Sequence, residues 1–273
     1  MSELAPEAHE NRQMAQWFGL DAARYDRARP TYPDALIDRI VALSPGKRFV
    51  DVGCGTGISS RPFQAAGCTV LGVEPDARMA AFARGRGLDV EVARFEDWDP
   101  AGRVFDAVVS GTAWHWVDPL AGARKVAGAL APHGLLALFD NAFEIPPAVM
   151  AAQAEAYRRA VPESSFQEPA AVDRGESDAE SQAERIHSRQ YVRSAEAIRQ
   201  AGAFGPPEDL RFAWDRTYTR DEWLDVLPTQ GGLHHLPEDA RARFLEHVGA
   251  AIDEIGGTFT VKYTTAGITA IRR

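Results

Sequence analysis

The chain has only two cysteines, Cys54 and Cys68, in 273 residues. Two thiols cannot build a four-cysteine zinc site or a disulfide framework. No HExxH run occurs, and no metal is expected. Long apolar runs are missing too: none reaches the ~18 residues a membrane-spanning helix needs. The opening Met1-Ser2-Glu3-Leu4-Ala5-Pro6-Glu7 is acidic and lacks the apolar core of a secretory signal. The expected location is therefore the cytoplasm, with no membrane partner. Positive charge is in deficit, 30 Lys+Arg against 39 Asp+Glu for a net −9. That balance opposes nonspecific binding to nucleic acid. Apolar residues at 45% and charged residues at 25% are ordinary for a globular chain and exclude collagen-like or wholly disordered readings.

What is present is an alternation. Asp34 to Leu43 is amphipathic, with Leu36, Ile37, Ile40 and Val41 at helical spacing. Short apolar strands are expected at 48–52, 69–73, 88–92, 105–109 and 134–139, with helices ending near Ala66 and spanning 76–84 and 119–130. Strands alternating with helices imply parallel crossovers and an α/β, doubly wound sheet. Beyond Ile145-Pro146-Pro147 the pattern loosens. Helices are expected at 148–160, 186–202 and 240–255, and strands at 210–217 and 258–271. Glu163 to Glu184 is acidic and poor in large apolar residues, which fits a surface insertion or a mobile lid. The expected division is an N-terminal cap segment (1–33), a ligand-binding core (34–144), a helical and acidic cap insertion (145–207), and a completion of the sheet (208–273).

The strongest local signal is Val50-Asp51-Val52-Gly53-Cys54-Gly55-Thr56-Gly57, between the first strand and its helix. Glycines there let the backbone turn sharply and let a ligand approach the helix N-terminus. A dinucleotide fingerprint needs G-x-G-x-x-G/A. Counted from Gly53 its last position is Ile58, and counted from Gly55 it is Ser60, so the spacing fits neither way. The acid-x-G-x-G-x-G pattern resembles the S-adenosylmethionine signature of class I methyltransferases. Val73-Glu74-Pro75-Asp76 resembles that family's second-strand motif, and Ala93-Arg94-Phe95-Glu96-Asp97 its adenine-side segment. Phe18-Gly19, Ala23-x-Tyr25, Arg29-Pro30-x-Tyr32-Pro33 and Ala113-Trp114-His115-Trp116-Val117-Asp118 resemble the small-molecule subgroup, in the trans-aconitate and ubiquinone/menaquinone methyltransferase neighbourhood. The resemblance implies a seven-stranded, mostly parallel, Rossmann-like sheet and S-adenosyl-L-methionine as cofactor, with S-adenosyl-L-homocysteine as product.

It also implies a cofactor site drawn from Tyr25, Arg29, Asp51, Gly53, Cys54, Gly55, Gly57, Glu74, Pro75, Met79, Phe95, Glu96, Ser110 and Gly111. Glu74, at the end of the second strand, can accept both ribose hydroxyls. Glu96 or Asp97 can accept from the adenine amino group, and Met79 is either an adenosine contact or core. Tyr25, Tyr32, Trp114 and Trp116 are core residues or faces for a sulfonium. His115 is the candidate general base, or a structural histidine. Arg29 meets the donor carboxylate, an acidic acceptor, or only a surface acid. His234 and His235 lie in a glycine-rich loop that can close a pocket. The run Ser110-Gly111-Thr112 lacks the Asn/Asp-Pro-Pro-aromatic pattern of nucleobase amino methylation. The expected function is methyl transfer, at oxygen, to a small-molecule acceptor. Protein or RNA methylation, or a non-catalytic nucleoside-binding module, are the alternatives.

Overall fold

β1 (Arg48–Val52) is buried along four of its five residues because strands cover both its edges and helices both its faces. Its neighbours are β2 (Thr69–Glu74) and β4 (Phe105–Gly111), both parallel to it. The computed structural model describes residues 17–160 and 182–273 except 232, 234 and 235, and of residues 182–190 the backbone alone. The lead-in 1–16, nearly all of the acidic stretch 163–184, and His234 and His235 lie outside the described residues.

With β3 (Asp89–Val92), β5 (Leu130–Glu144), β6 (Glu208–Thr219) and β7 (Thr258–Ile271), the sheet runs β3-β2-β1-β4-β5-β7-β6. β7 alone runs against the direction of the other six strands. This is a doubly wound, mostly parallel sheet of seven strands, as expected. Successive strand side chains point to opposite faces, so each strand feeds two cores. On one face, Phe49, Val70 and Ala107 pack with α2 (Asp34–Leu43), α3 (Ser60–Ala65) and α4 (Ala77–Gly85). On the other, Val50, Val73 and Leu136 meet α5 (Pro119–Ala129) and α7 (Gln182–Ala201).

β5 is longer than its apolar run suggests. It starts at Leu130, where a helix residue was expected, because Leu130 pairs with Phe105 before the register shifts at Ala107. It continues past Phe139 to Glu144, because β7 pairs with it throughout. The ends of β5, β7 and β6 thus project beyond the carboxyl edge of β4. A third apolar cluster sits on this projection: Tyr218, Phe259 and Tyr263 pack with α6 (Pro147–Ala160), α8 (Arg220–Val226), α9 (Glu238–Glu254) and Ala28 of α1 (Ala22–Ala28). The two helices of 145–207 therefore lie in different layers, α6 against α9 in the cap and α7 on the sheet face against α5. No described helix is long and apolar enough to cross a membrane.

Candidate functional site

The loop after β1 turns on left-handed glycines. Gly53 and Gly55 have φ of +68° and +56°, a region that favours glycine. The Gly53 N–H donates to the Val73 carbonyl at 2.8 Å, tying the loop to β2. Asp51 faces the start of α3, where Ser59 and Ser60 both donate to its Oδ2 at 2.6 Å. Its Oδ1 has no partner among the described residues. Burial pushes the Asp51 carboxyl up to about 6, against the pull of the two serines.

Glu74 ends β2 and braces the same loop. Its Oε2 accepts from the Gly55 N–H and its Oε1 from the Asp76 N–H, both at 2.9 Å. Burial pushes its carboxyl up to about 7, partly offset by those two bonds. Glu74, Pro75, Asp76, Met79, Phe95 and Glu96 line one wall of a cleft of about 450 Å³. Phe95 is stacked on Trp98 at 5.9 Å. Glu96 is fixed by the Asp118 N–H at 3.2 Å and by Arg94 at 3.4 Å. Of the two acids after β3, Glu96 faces the cleft; Asp97 has 71% of its side chain exposed.

The opposite wall comes from the N-terminal segment and the turn after β4. α1 is N-capped by Asp21, which accepts from the Arg24 N–H at 2.9 Å. Its last turn presents Tyr25, and Arg29 follows with its guanidinium 5.5 Å from the Tyr25 ring centre. Asp26 anchors α1 to Arg61 of α3 at 2.8 Å, and Arg24 and Arg27 bind Asp225 of α8 at 3.1 and 2.7 Å. Phe18 packs edge-on to Tyr25 and Trp116. His115 and Trp116 line the same cleft, their rings 4.8 Å apart.

A smaller chamber of about 70 Å³ opens behind the cleft, toward the projecting strands. Tyr25, Arg29, Gly53, Gly55, Thr112 and Gln230 line both spaces and form the neck between them. Thr112 sits at φ +53°, a costly conformation for a β-branched residue. It is held there by its N–H bond to the Phe139 carbonyl and by its hydroxyl's 2.8 Å contact with Tyr32. Burial pushes the Tyr32 phenol far up, so it stays protonated.

Of the residues named from sequence, Tyr25, Arg29, Gly53, Gly55, Glu74, Pro75, Met79, Phe95, Glu96 and His115 converge on the outer cleft. Cys54 and Gly111 line the inner chamber instead. Burial drives the Cys54 thiol well above its ordinary range. Asp51, Gly57 and Ser110 line neither space. The Ser110 hydroxyl donates to the Val52 carbonyl at 2.8 Å, joining β4 to β1. Sequence reasoning missed Asn141, Phe143 and Tyr263, all on the inner chamber. No local signal marked them: β5 reads as a continuous apolar run that stops at Phe139, and these residues lie past it or on β7. Among the described residues, no cluster of three His, Cys, Asp or Glu could hold a metal.

A family model described as a methyltransferase domain matches residues 25–201. The chain belongs to that family. An uncharacterized methyltransferase of Mycobacterium tuberculosis is 35% identical over 133 residues, 48% of this chain and 54% of the relative. The trans-aconitate 2-methyltransferase of M. tuberculosis is 37% identical over 93 residues, 33% of this chain and 34% of the relative. The chain thus spans about half the length, or less, of these curated relatives. Among solved structures, a candidate type II methyltransferase from Anaeromyxobacter dehalogenans covers 89% of this chain and is itself covered to 97%, with a TM-score of 0.56 at 20% identity. A Haemonchus contortus phosphoethanolamine N-methyltransferase, solved with phosphomonomethylethanolamine and S-adenosylhomocysteine, covers 97% of this chain and is covered to 59%, with a TM-score of 0.50 at 16% identity. Both likenesses place the methyltransferase domain in this fold.

Proposed function

We propose that this methyltransferase-domain protein moves a methyl group from S-adenosylmethionine to an oxygen of a small organic acceptor. The observation that carries this reading is the pair of connected spaces, a large outer cleft and a small inner chamber sharing one six-residue neck. In-line displacement needs donor and acceptor on opposite sides of one point, and the protein's main task is to hold them there and exclude water.

The outer cleft suits the donor. Gly55 has no side chain where a ligand must approach, and a Cβ there would meet only the Met79 methyl, at 3.5 Å. The Glu74 oxygens keep lone pairs for two ribose hydroxyls while bracing the loop, and Glu96 stands where an adenine amino group can donate. When bound, S-adenosylmethionine supplies a methyl already activated by its sulfonium. Tyr25 and Trp116 offer ring faces to such a cation. In this reading Arg29 and Thr112 guide the acceptor through the neck, and His115 takes the proton when the acceptor is a hydroxyl. Asp51, Gly57 and Ser110 shape the loop and the sheet edge without touching the ligand.

Calorimetry with S-adenosylhomocysteine, with NADH as the comparison, tests the donor assignment. Binding of the former and not the latter is expected; the reverse overturns the reading. Methyl transfer from labelled S-adenosylmethionine to a metabolite mixture then tests the acceptor class. Label found only on protein or RNA would replace the small-molecule acceptor.

A further inference from the structure

A polar chain crosses the sheet beside the inner chamber. Trp214 on β6, Thr265 on β7 and Asn141 on β5 share one face: Asn141 pairs with Thr265, and Thr265 pairs with Phe212, two residues before Trp214. The Trp214 Nε1–H donates to Thr265 Oγ1 at 2.8 Å, and the Thr265 hydroxyl donates to Asn141 Oδ1 at 2.6 Å. An indole N–H can only donate, and a threonine hydroxyl has one proton. The indole takes one lone pair of that hydroxyl, and its proton goes to Asn141, so the amide atom facing it is the oxygen. Thr265 is fully buried, so water does not compete for the arrangement. The Asn141 nitrogen is thereby turned the other way, where one N–H reaches the Thr31 carbonyl at 3.0 Å. Its second N–H has no protein acceptor among the described residues, and Asn141 lines the chamber.

Further donors line the chamber. Arg29 brings a guanidinium, a donor only, and no carboxylate lines the chamber. The Thr56 hydroxyl lines it too, buried and without a partner among the described residues. We infer that Asn141 is a specificity-determining residue: held nitrogen-inward by Trp214 through Thr265, it acts with Arg29 to select acceptors that place a carboxylate in the inner chamber, leaving the reacting oxygen at the neck. The inference rests on the reading of this chamber as the acceptor site. A carboxylate offers only lone pairs to these donors. A primary amide of the same shape turns an N–H toward them, leaving groups unpaired at a cost of tenfold or more in affinity.

The test is a titration of the full chain, saturated with S-adenosylhomocysteine, with acetate, succinate and benzoate against acetamide, succinamide and benzamide. It is read by ¹H–¹⁵N correlation of the Asn141 side-chain amide, assigned by its loss in Asn141→Asp. At least one carboxylate should shift that resonance and bind about tenfold or more tighter than its amide. Asn141→Asp should abolish the binding. Thr265→Val, which frees the amide to turn, should weaken carboxylate binding severalfold and leave S-adenosylhomocysteine affinity unchanged. No shift with any carboxylate, equal binding of acids and amides, or undiminished binding in a folded Asn141→Asp overturns the inference. If Asn141→Asp fails to fold, the Thr265→Val result decides. Failure to bind S-adenosylhomocysteine counts against the methyl-transfer reading alone, and the titration is then run without it.

Discussion

Glu74 does two jobs at once, and the first constrains how the second can be tested. Its carboxylate already receives the Gly55 and Asp76 N–H groups, so Glu74→Ala removes a brace and, on the proposed reading, a ribose partner. The expected loss in S-adenosylhomocysteine affinity is ~1.5–3 kcal/mol, the range for a charged hydrogen-bond partner; calorimetry on a variant shown to be folded checks it. Wild-type affinity would move the ribose elsewhere. Gly55→Val should abolish binding, because a branched residue is strained at φ +56° and fills the cleft wall. His115 lines the outer cleft and not the inner chamber, so its part in the reaction is tested by rate. With a hydroxyl acceptor, His115→Ala should lower turnover ~10²–10⁴-fold while S-adenosylhomocysteine affinity changes little. Unchanged turnover would leave His115 as a wall residue.

Among the elements, β7 decides the most. It runs against β5 and β6 on either side, and at Gly267 it leaves no room for a side chain. A methyl group on Gly267 would collide with the Leu138 carbonyl oxygen and lie 3.0 Å from Phe139 Cα. Both are main-chain atoms of the neighbouring strand and cannot turn aside. Gly267→Ala should therefore destabilise the fold by ~1–3 kcal/mol or more, visible as a lower midpoint in denaturant. An unchanged midpoint would mean that β5 and β7 yield there. α1 is held differently. Only Ala28 of this seven-residue helix is buried, and its ties are ion pairs to Arg61 and Asp225. The Asp225 pairs are partly exposed, and such pairs contribute ~0.2–1 kcal/mol each.

For the whole molecule, two buried carboxyls link stability to pH, and one of them links binding to it as well. Glu74 and Asp51 titrate at about 7 and about 6 in the fold, above their ordinary 4.5 and 3.8. A raised acid contributes most to stability below its unfolded value, and that contribution is lost as pH rises through its folded value. The free protein thus gives up stability from these two groups between about pH 4 and 7. On the proposed reading, ribose hydroxyls donate to ionised Glu74, so ligand binding favours the deprotonated form. The increase in Tm caused by S-adenosylhomocysteine should be larger at about pH 8 than at about pH 6, with affinity falling up to ~10-fold per unit below pH 7. Thermal melts with and without ligand at the two values check this, and equal increments would detach Glu74 from the ligand.

The core strands, their helices and the glycine loop were legible in the chain itself. Each is a local pattern: an apolar run, a helical period, glycines where the backbone must turn. Residues 48–139 carry those patterns, and Glu74 ends β2 while Phe95 and Glu96 lie in the turn after β3, on the edge where a parallel sheet opens its crevice. The inner chamber was not legible. Asn141, Phe143 and Tyr263 meet only because β7 pairs with β5 past its apolar run. Arg29 joins them only because α1 is clamped to α3 and α8. The choice between Glu96 and Asp97, and the direction in which the Asn141 amide points, depend on partners far away in sequence: Asp118 for the first, Thr265 and Trp214 for the second. Local propensity sets which residues form a strand or a turn, but the polarity of a pocket wall is set by hydrogen bonds between strands, and those exist only once the sheet has closed.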